Sequence, residues 1–121
     1  MIEASSRRVL IVEDEILVAM LIEDMLIELG FAVVGPAMRL QHALKMAQEE
    51  SLDLAVLDVN LANEQSFPVA RALQQRGIPF IFATAYGSKG LNDRFQEVIT
   101  LQKPFELHQL KHAISSVLAS K

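Results

Sequence analysis

The sequence predicts an α/β fold: a doubly wound, five-stranded parallel sheet with helices on both faces. Three observations predict it. Five short apolar runs rich in β-branched residues alternate with longer segments of helical period. The runs show little polar alternation, the pattern of strands covered on both sides. At 121 residues, the chain has the length of one domain, and such a domain buries roughly two thirds of the surface its unfolded chain exposes.

Strands are expected from Val9 to Val12, Ala32 to Val34, Leu54 to Leu57, Phe80 to Ala83 and Val98 to Leu101. In the first helix Ile16, Leu17, Met20, Leu21, Met25 and Leu29 recur at helical spacing, and Gly30 stands where a glycine commonly ends a helix. The last helix carries Leu107, Leu110, Ile114, Val117 and Leu118 in one stripe, with Lys111, His112 and Ser115 off it. Weaker patterns place middle helices at about Leu40 to Glu49 and Phe67 to Gln75, and a short one around Leu91 to Phe95. Gly87, Ser88 and Gly90 make the approach to that short helix flexible. No repeat, low-complexity tract or linker composition divides the chain, so residues 1–121 are expected to form a single domain.

Composition excludes several functions. Without cysteine there is no disulfide framework, thiolate metal site or thiol nucleophile. A net charge of −4 gives no general attraction to phosphate backbones, so direct nucleic-acid binding is not expected. The one adjacent basic pair, Arg7-Arg8, reads as a solvated lead-in to the first strand. No apolar run approaches the roughly 18 residues of a membrane span, and the start carries no stretch of signal-peptide type, so no membrane association and a cytoplasmic location are expected.

The residues that follow the strands carry the chemistry, because ligands of open parallel sheets bind beyond the strands' carboxyl ends. Glu13 and Asp14 follow the first run, Asp58 the third, Thr84 the fourth and Lys103 the fifth. Like-charged carboxylates about 4 Å apart repel by about 4 kcal/mol at an effective dielectric near 20. Lys103 and a hard divalent cation would offset that repulsion, and Mg²⁺ suits one or two carboxylates with retained waters and phosphate oxygens. The cluster therefore reads as a metal-assisted phosphoryl site. Each residue also has an ordinary reading: Glu13 and Asp14 as caps of the first helix, Asp58 as a loop acid, Thr84 as a strand residue, Lys103 as a surface lysine. Jointly those readings require a coincidence at the ends of four strands.

Through Val9-Leu-Ile-Val-Glu-Asp-Glu15, Leu54-Ala-Val-Leu-Asp-Val-Asn60, Phe82-Ala-Thr84 and Lys103-Pro-Phe105, in this order across nearly the whole chain, the sequence resembles the receiver domains of two-component response regulators. The resemblance implies a flavodoxin-like (βα)5 fold with strand order 2-1-3-4-5. It implies that Asp58 accepts a phosphoryl group from a sensor histidine kinase or histidine phosphotransfer protein, as nucleophile and metal ligand at once. Asp14 would ligate Mg²⁺ directly, Glu13 mostly through water, and Asn60 through its backbone carbonyl. Thr84 and the Ala85 N–H would meet phosphoryl oxygens, Lys103 would pair with the phosphate, and the Lys103–Pro104 peptide would be cis. Such a protein is a signalling receiver with phosphotransfer and self-dephosphorylation chemistry, not an enzyme in the usual sense. Its partner would be a downstream protein or output domain, and a phosphorylation-dependent homodimer is a further expectation.

Three departures stand out. Thr100 occupies the position of the family's switch aromatic, so Tyr86 becomes the substitute, and Phe82-Ala-Thr-Ala-Tyr86 resembles a variant subgroup with a Phe-Ala-Thr-x-Tyr motif. The segment Leu61-Ala62-Asn63-Glu64-Gln65-Ser66 lacks the Pro and Gly that commonly shape its loop. No output domain follows Lys121, so the chain is either a stand-alone regulator or an excised domain. Two other classes remain open. A phosphatase of the haloacid dehalogenase type is suggested by Asp58-Val59-Asn60, although the second acid of that motif is absent. A receiver-like scaffold that works without phosphorylation is suggested by the missing switch aromatic.

Overall fold

The computed structural model describes residues 6–85, 91 and 95–119. Strand β1 (Arg8–Val12) is followed by helix α1 (Ile16–Glu28), β2 (Ala32–Ala37), α2 (Leu40–Glu49) and β3 (Leu54–Asp58). Two short strands, β4 (Asn60–Leu61) and β5 (Glu64–Gln65), precede α3 (Phe67–Gln75), β6 (Phe80–Thr84), β7 (Thr100–Gln102) and α4 (Leu107–Ala119). The main sheet runs β2-β1-β3-β6-β7, and every pairing in it is parallel. This is the expected order 2-1-3-4-5 with the small β4–β5 ladder set apart.

Strands β1, β3 and β6 are mostly apolar because successive side chains enter different cores. Leu10, Val12, Ala55, Leu57 and Phe82 pack with Ala43 and Ala47 of α2 and with Val69 and Leu73 of α3. Val9, Ile11, Val56 and Ile81 pack instead with Ile22 and Leu26 of α1 and with Leu110 and Ile114 of α4. Helix α1 ends as the sequence suggests: Gly30 adopts φ +94°, its N–H donates to the Ile27 carbonyl at 3.0 Å, and the Phe31 N–H donates to Leu26 at 2.9 Å. This is a Schellman closure, which favours glycine at the left-handed position.

Four features differ from expectation. Strand β2 continues beyond the expected end at Val34 through Gly35, Pro36 and Ala37. A register shift against β1 between Leu10 and Val12 makes room for them, with Gly35 at φ +95°. The fifth sheet strand starts at Thr100, since the Val98 N–H is engaged in a turn with the Phe95 carbonyl at 3.1 Å. On α1, Ile16, Leu17, Met20 and Leu21 are exposed (Leu17 by 78%), while Ala19, Ile22 and Leu26 are buried. The sequence Ile16-Leu-Val-Ala-Met-Leu-Ile22 is apolar all round, so spacing alone cannot choose its inner face. Finally, the segment after Asp58 forms the β4–β5 ladder, pairing Asn60 with Gln65 and Leu61 with Glu64. The short helix expected around Leu91 to Phe95 and the flexible approach at Gly87, Ser88 and Gly90 lie largely outside the described residues. No helix among the described residues is long and apolar enough to cross a membrane.

Candidate functional site

Beyond the carboxyl ends of β1, β3, β6 and β7 the chain gathers three acids and a lysine. After β1, the Glu13 N–H donates to the Ala37 carbonyl at 3.1 Å, so the shifted register of β2 fixes the backbone where the first acid begins. Glu13 is fully buried; its Oε1 accepts from Lys103 Nζ at 2.9 Å and its Oε2 from the Glu15 N–H at 3.2 Å. Asp58, the last residue of β3, is also buried, with Oδ2 3.3 Å from Lys103 Nζ and Oδ1 accepting the Asn60 N–H at 3.2 Å. Asp14 is partly exposed, and its Oδ2 accepts the Ala62 N–H at 2.7 Å. One carboxylate oxygen from each of Glu13, Asp14 and Asp58 lies within 4.8 Å of the other two.

Lys103 reaches this cluster because its own N–H donates to the Thr84 carbonyl at 2.8 Å, extending the β6–β7 ladder by one rung before the cis Lys103–Pro104 peptide. Thr84 is buried at the end of β6, adjacent in register to the Asp58 strand, and Ala85 follows it at the surface. Asn60 opens β4 two residues after Asp58. Thr100 begins β7 and donates its hydroxyl to the Val98 carbonyl at 3.1 Å. Tyr86 lies outside the described residues. The capping reading of the acids does not hold, because the N-cap of α1 is Glu15 and it makes no side-chain capping bond. His108 and His112 are exposed on α4, as a solvated face requires.

Electrostatics sets the site apart. Burial pushes the Glu13 carboxyl up from 4.5 to about 7, with the Asp58 charge adding to the rise and Lys103 only partly offsetting it. Burial likewise raises Asp58 against the opposing pull of Lys103 and the Asn60 N–H. Lys103 is itself raised: burial lowers it, but its bonds to the two carboxylates prevail. Among the described residues, one cation thus faces three acids. The donor set fits Mg²⁺, offering hard carboxylate oxygens, surplus negative charge and a partly exposed side for retained water. Among the residues that sequence reasoning missed is Ala62, which acts through its backbone amide and so leaves no trace in its residue type.

The family described as the response regulator receiver domain matches residues 9–115. The chain belongs to this family. The receiver is similar to SdrG from Sphingomonas melonis Fr1, with 41% identity and a TM-score of 0.85 over 97% of this chain and 99% of that one. A beryllofluoride-activated conformation of SdrG matches at 40% identity and a TM-score of 0.79, covering 94% of this chain and 98% of that one. The receiver domain of PhyR from Erythrobacter litoralis matches at 32% identity and a TM-score of 0.84, over 96% and 92% of the two chains. The transcriptional regulatory protein PdtaR of Mycobacterium tuberculosis is 34% identical over 92% of this receiver, which spans 56% of PdtaR's length. Membership places the chain among two-component signalling proteins, a family that generally binds Mg²⁺.

Proposed function

We propose that Asp58 is the phosphoacceptor of a receiver spanning residues 1–121, charged by the phosphohistidine of a sensor histidine kinase or histidine phosphotransfer protein. The observation that carries this reading is Lys103 Nζ held between Glu13 at 2.9 Å and Asp58 at 3.3 Å, beside Asp14. An Asp58 carboxylate oxygen forms a bond to phosphorus as the phosphorus–nitrogen bond of the donor breaks, and the electron pair leaves with the imidazole. Asp14, Asp58 and the Asn60 carbonyl would hold Mg²⁺, with Glu13 acting mostly through water. The ion supplies charge neutralisation for the transferred group. Lys103 already stands beside the acceptor and meets the same charge, while the Thr84 hydroxyl and Ala85 N–H take phosphoryl oxygens.

The exposed apolar face of α1 is the surface we assign to the phosphodonor. It borders the site, since Leu21 of α1 shares the wall of one cavity of about 230 Å³ with Ala85, Lys103 and Pro104. The aspartyl phosphate brings about one and a half to two negative charges. In response Thr84 moves toward the phosphate, and the segment from Tyr86 onward repacks against β7 and α4. That face then engages the downstream protein, an attached output domain or a second receiver.

Label from a phosphorylated donor is expected to enter the wild type only with Mg²⁺ and not to enter Asp58→Ala. Uptake by Asp58→Ala at the wild-type rate would overturn the assignment. Beryllofluoride, which activates SdrG, is expected to shift amide resonances from Thr84 through Tyr86 to α4. Phosphate uptake with no spread beyond the site, and partner affinity indifferent to beryllofluoride, would favour the phosphorylation-independent scaffold.

A further inference from the structure

We infer that the β4–β5 hairpin is a built-in clamp for the cation site, with Ala62 the residue that positions Asp14. The inference rests on the Mg²⁺ reading of the acid cluster. Its first observation is the 2.7 Å bond from the Ala62 N–H to Asp14 Oδ2, spanning 48 positions of sequence. A short N–H bond to an ionised carboxylate is among the stronger kinds and fixes the group it holds. The second observation is the backbone of Ala62, which sits at φ +53°. That region is unfavourable for a residue with a Cβ and persists only where the surroundings enforce it.

The surroundings do enforce it. Leu61 is buried in the core, the Ser66 N–H donates to the Val59 carbonyl at 2.8 Å, and Leu61 pairs with Glu64 across the turn. The hairpin thus returns the chain, four residues after Asp58, to grip the acid that follows β1. Asp14 Oδ2 accepts the N–H of the clamp while an Asp14 carboxylate oxygen lies within 4.8 Å of oxygens from Glu13 and Asp58. Holding Asp14 in place before the cation arrives removes an ordering cost from binding, and it does so with an amide dipole that occupies no ligand position. Partners that orient a ligand in this way commonly change metal affinity by about 10-fold to 100-fold when lost.

The test is Mg²⁺ affinity of the unphosphorylated protein, read from amide chemical shifts, in wild type, Ala62→Val and Ala62→Gly. Valine resists φ +53° and should release Asp14, weakening Mg²⁺ by about 10-fold. Glycine accepts that conformation and keeps the N–H, and should hold affinity within about twofold of wild type. In wild type the Ala62 amide should be protected from hydrogen exchange, and Asp14→Ala should abolish that protection; this measurement needs no change at Ala62. Wild-type affinity in Ala62→Val, equal losses in Val and Gly, or an Ala62 amide indifferent to Asp14→Ala would each overturn the clamp. If wild type itself binds no Mg²⁺, the cation reading fails first and the clamp with it.

Discussion

The two ends of the β1–β3 strand pair both use charge, and they use it in opposite ways. At the amino end, Arg8 Nη2 meets Glu50 Oε1 at 2.9 Å, its Nε donates to the Ser51 carbonyl at 2.6 Å, and its N–H donates to Asp53 Oδ2 at 2.8 Å. These groups lie near solvent, and Arg8 and Glu50 match one for one. At the carboxyl end two acids are buried, a third stands beside them, and among the described residues a single lysine serves the group. The first arrangement ties strands together. The second holds negative charge in surplus, a condition that costs stability and persists where a ligand completes it.

That contrast is testable by removing charge at each end. The largest effect is expected for Lys103→Ala, which leaves Glu13 and Asp58 without their cation: a loss of about 3 kcal/mol in urea unfolding at pH 8 with chelator. A loss no greater than that of an ordinary surface substitution would show that the lysine is not holding the acids together. The pH dependence of the metal-free protein sharpens the same point. With Glu13 raised from 4.5 to about 7, the native state holds a proton that the unfolded state has released between those values. Stability should therefore fall as pH rises from about 4.5 to about 7, and Glu13→Gln should flatten that slope. A slope unchanged in Glu13→Gln would place its origin elsewhere.

Asp58→Asn, which removes a buried charge but keeps the shape, should stabilise the metal-free protein by about 1 kcal/mol at pH 8. A destabilised Asp58→Asn would mean that Lys103 already balances the site. The smallest effect is expected at the other end, where Arg8→Ala should cost under about 1 kcal/mol because its ion pair is exposed. Opposite signs for Asp58→Asn and Arg8→Ala under identical conditions are the signature of the contrast.

Much of this architecture was legible in the chain, and the parts that were not share a cause. Helix α4 buries Leu110 and Ile114 and exposes Lys111, His112 and Ser115, as its stripe indicates. Helix α1 packs on the same sheet face, yet its apolar residues surround the axis, and only contact with Val9 and Ile11 selects Ile22 and Leu26 for the core. Strand β2 outruns its apolar segment because pairing with β1 carries Gly35 and Pro36 along. The acids and Lys103 could be placed at the strand ends, because a parallel sheet delivers those positions to one edge. The bond from Ala62 to Asp14 could not, since any residue but proline carries the same amide.

The sequence alone determined the βα alternation, the parallel sheet and the convergence of Glu13, Asp14, Asp58 and Lys103, because these follow from periodicity and from where apolar runs end. Tertiary structure alone decided which two acids are buried, which side of α1 faces solvent, that Lys103 bridges Glu13 and Asp58, and that a hairpin tip holds Asp14. Periodicity is local and survives in the one-dimensional pattern, whereas burial, charge balance and a bond from the Ala62 N–H to the Asp14 carboxylate 48 positions away exist only once the chain has closed on itself.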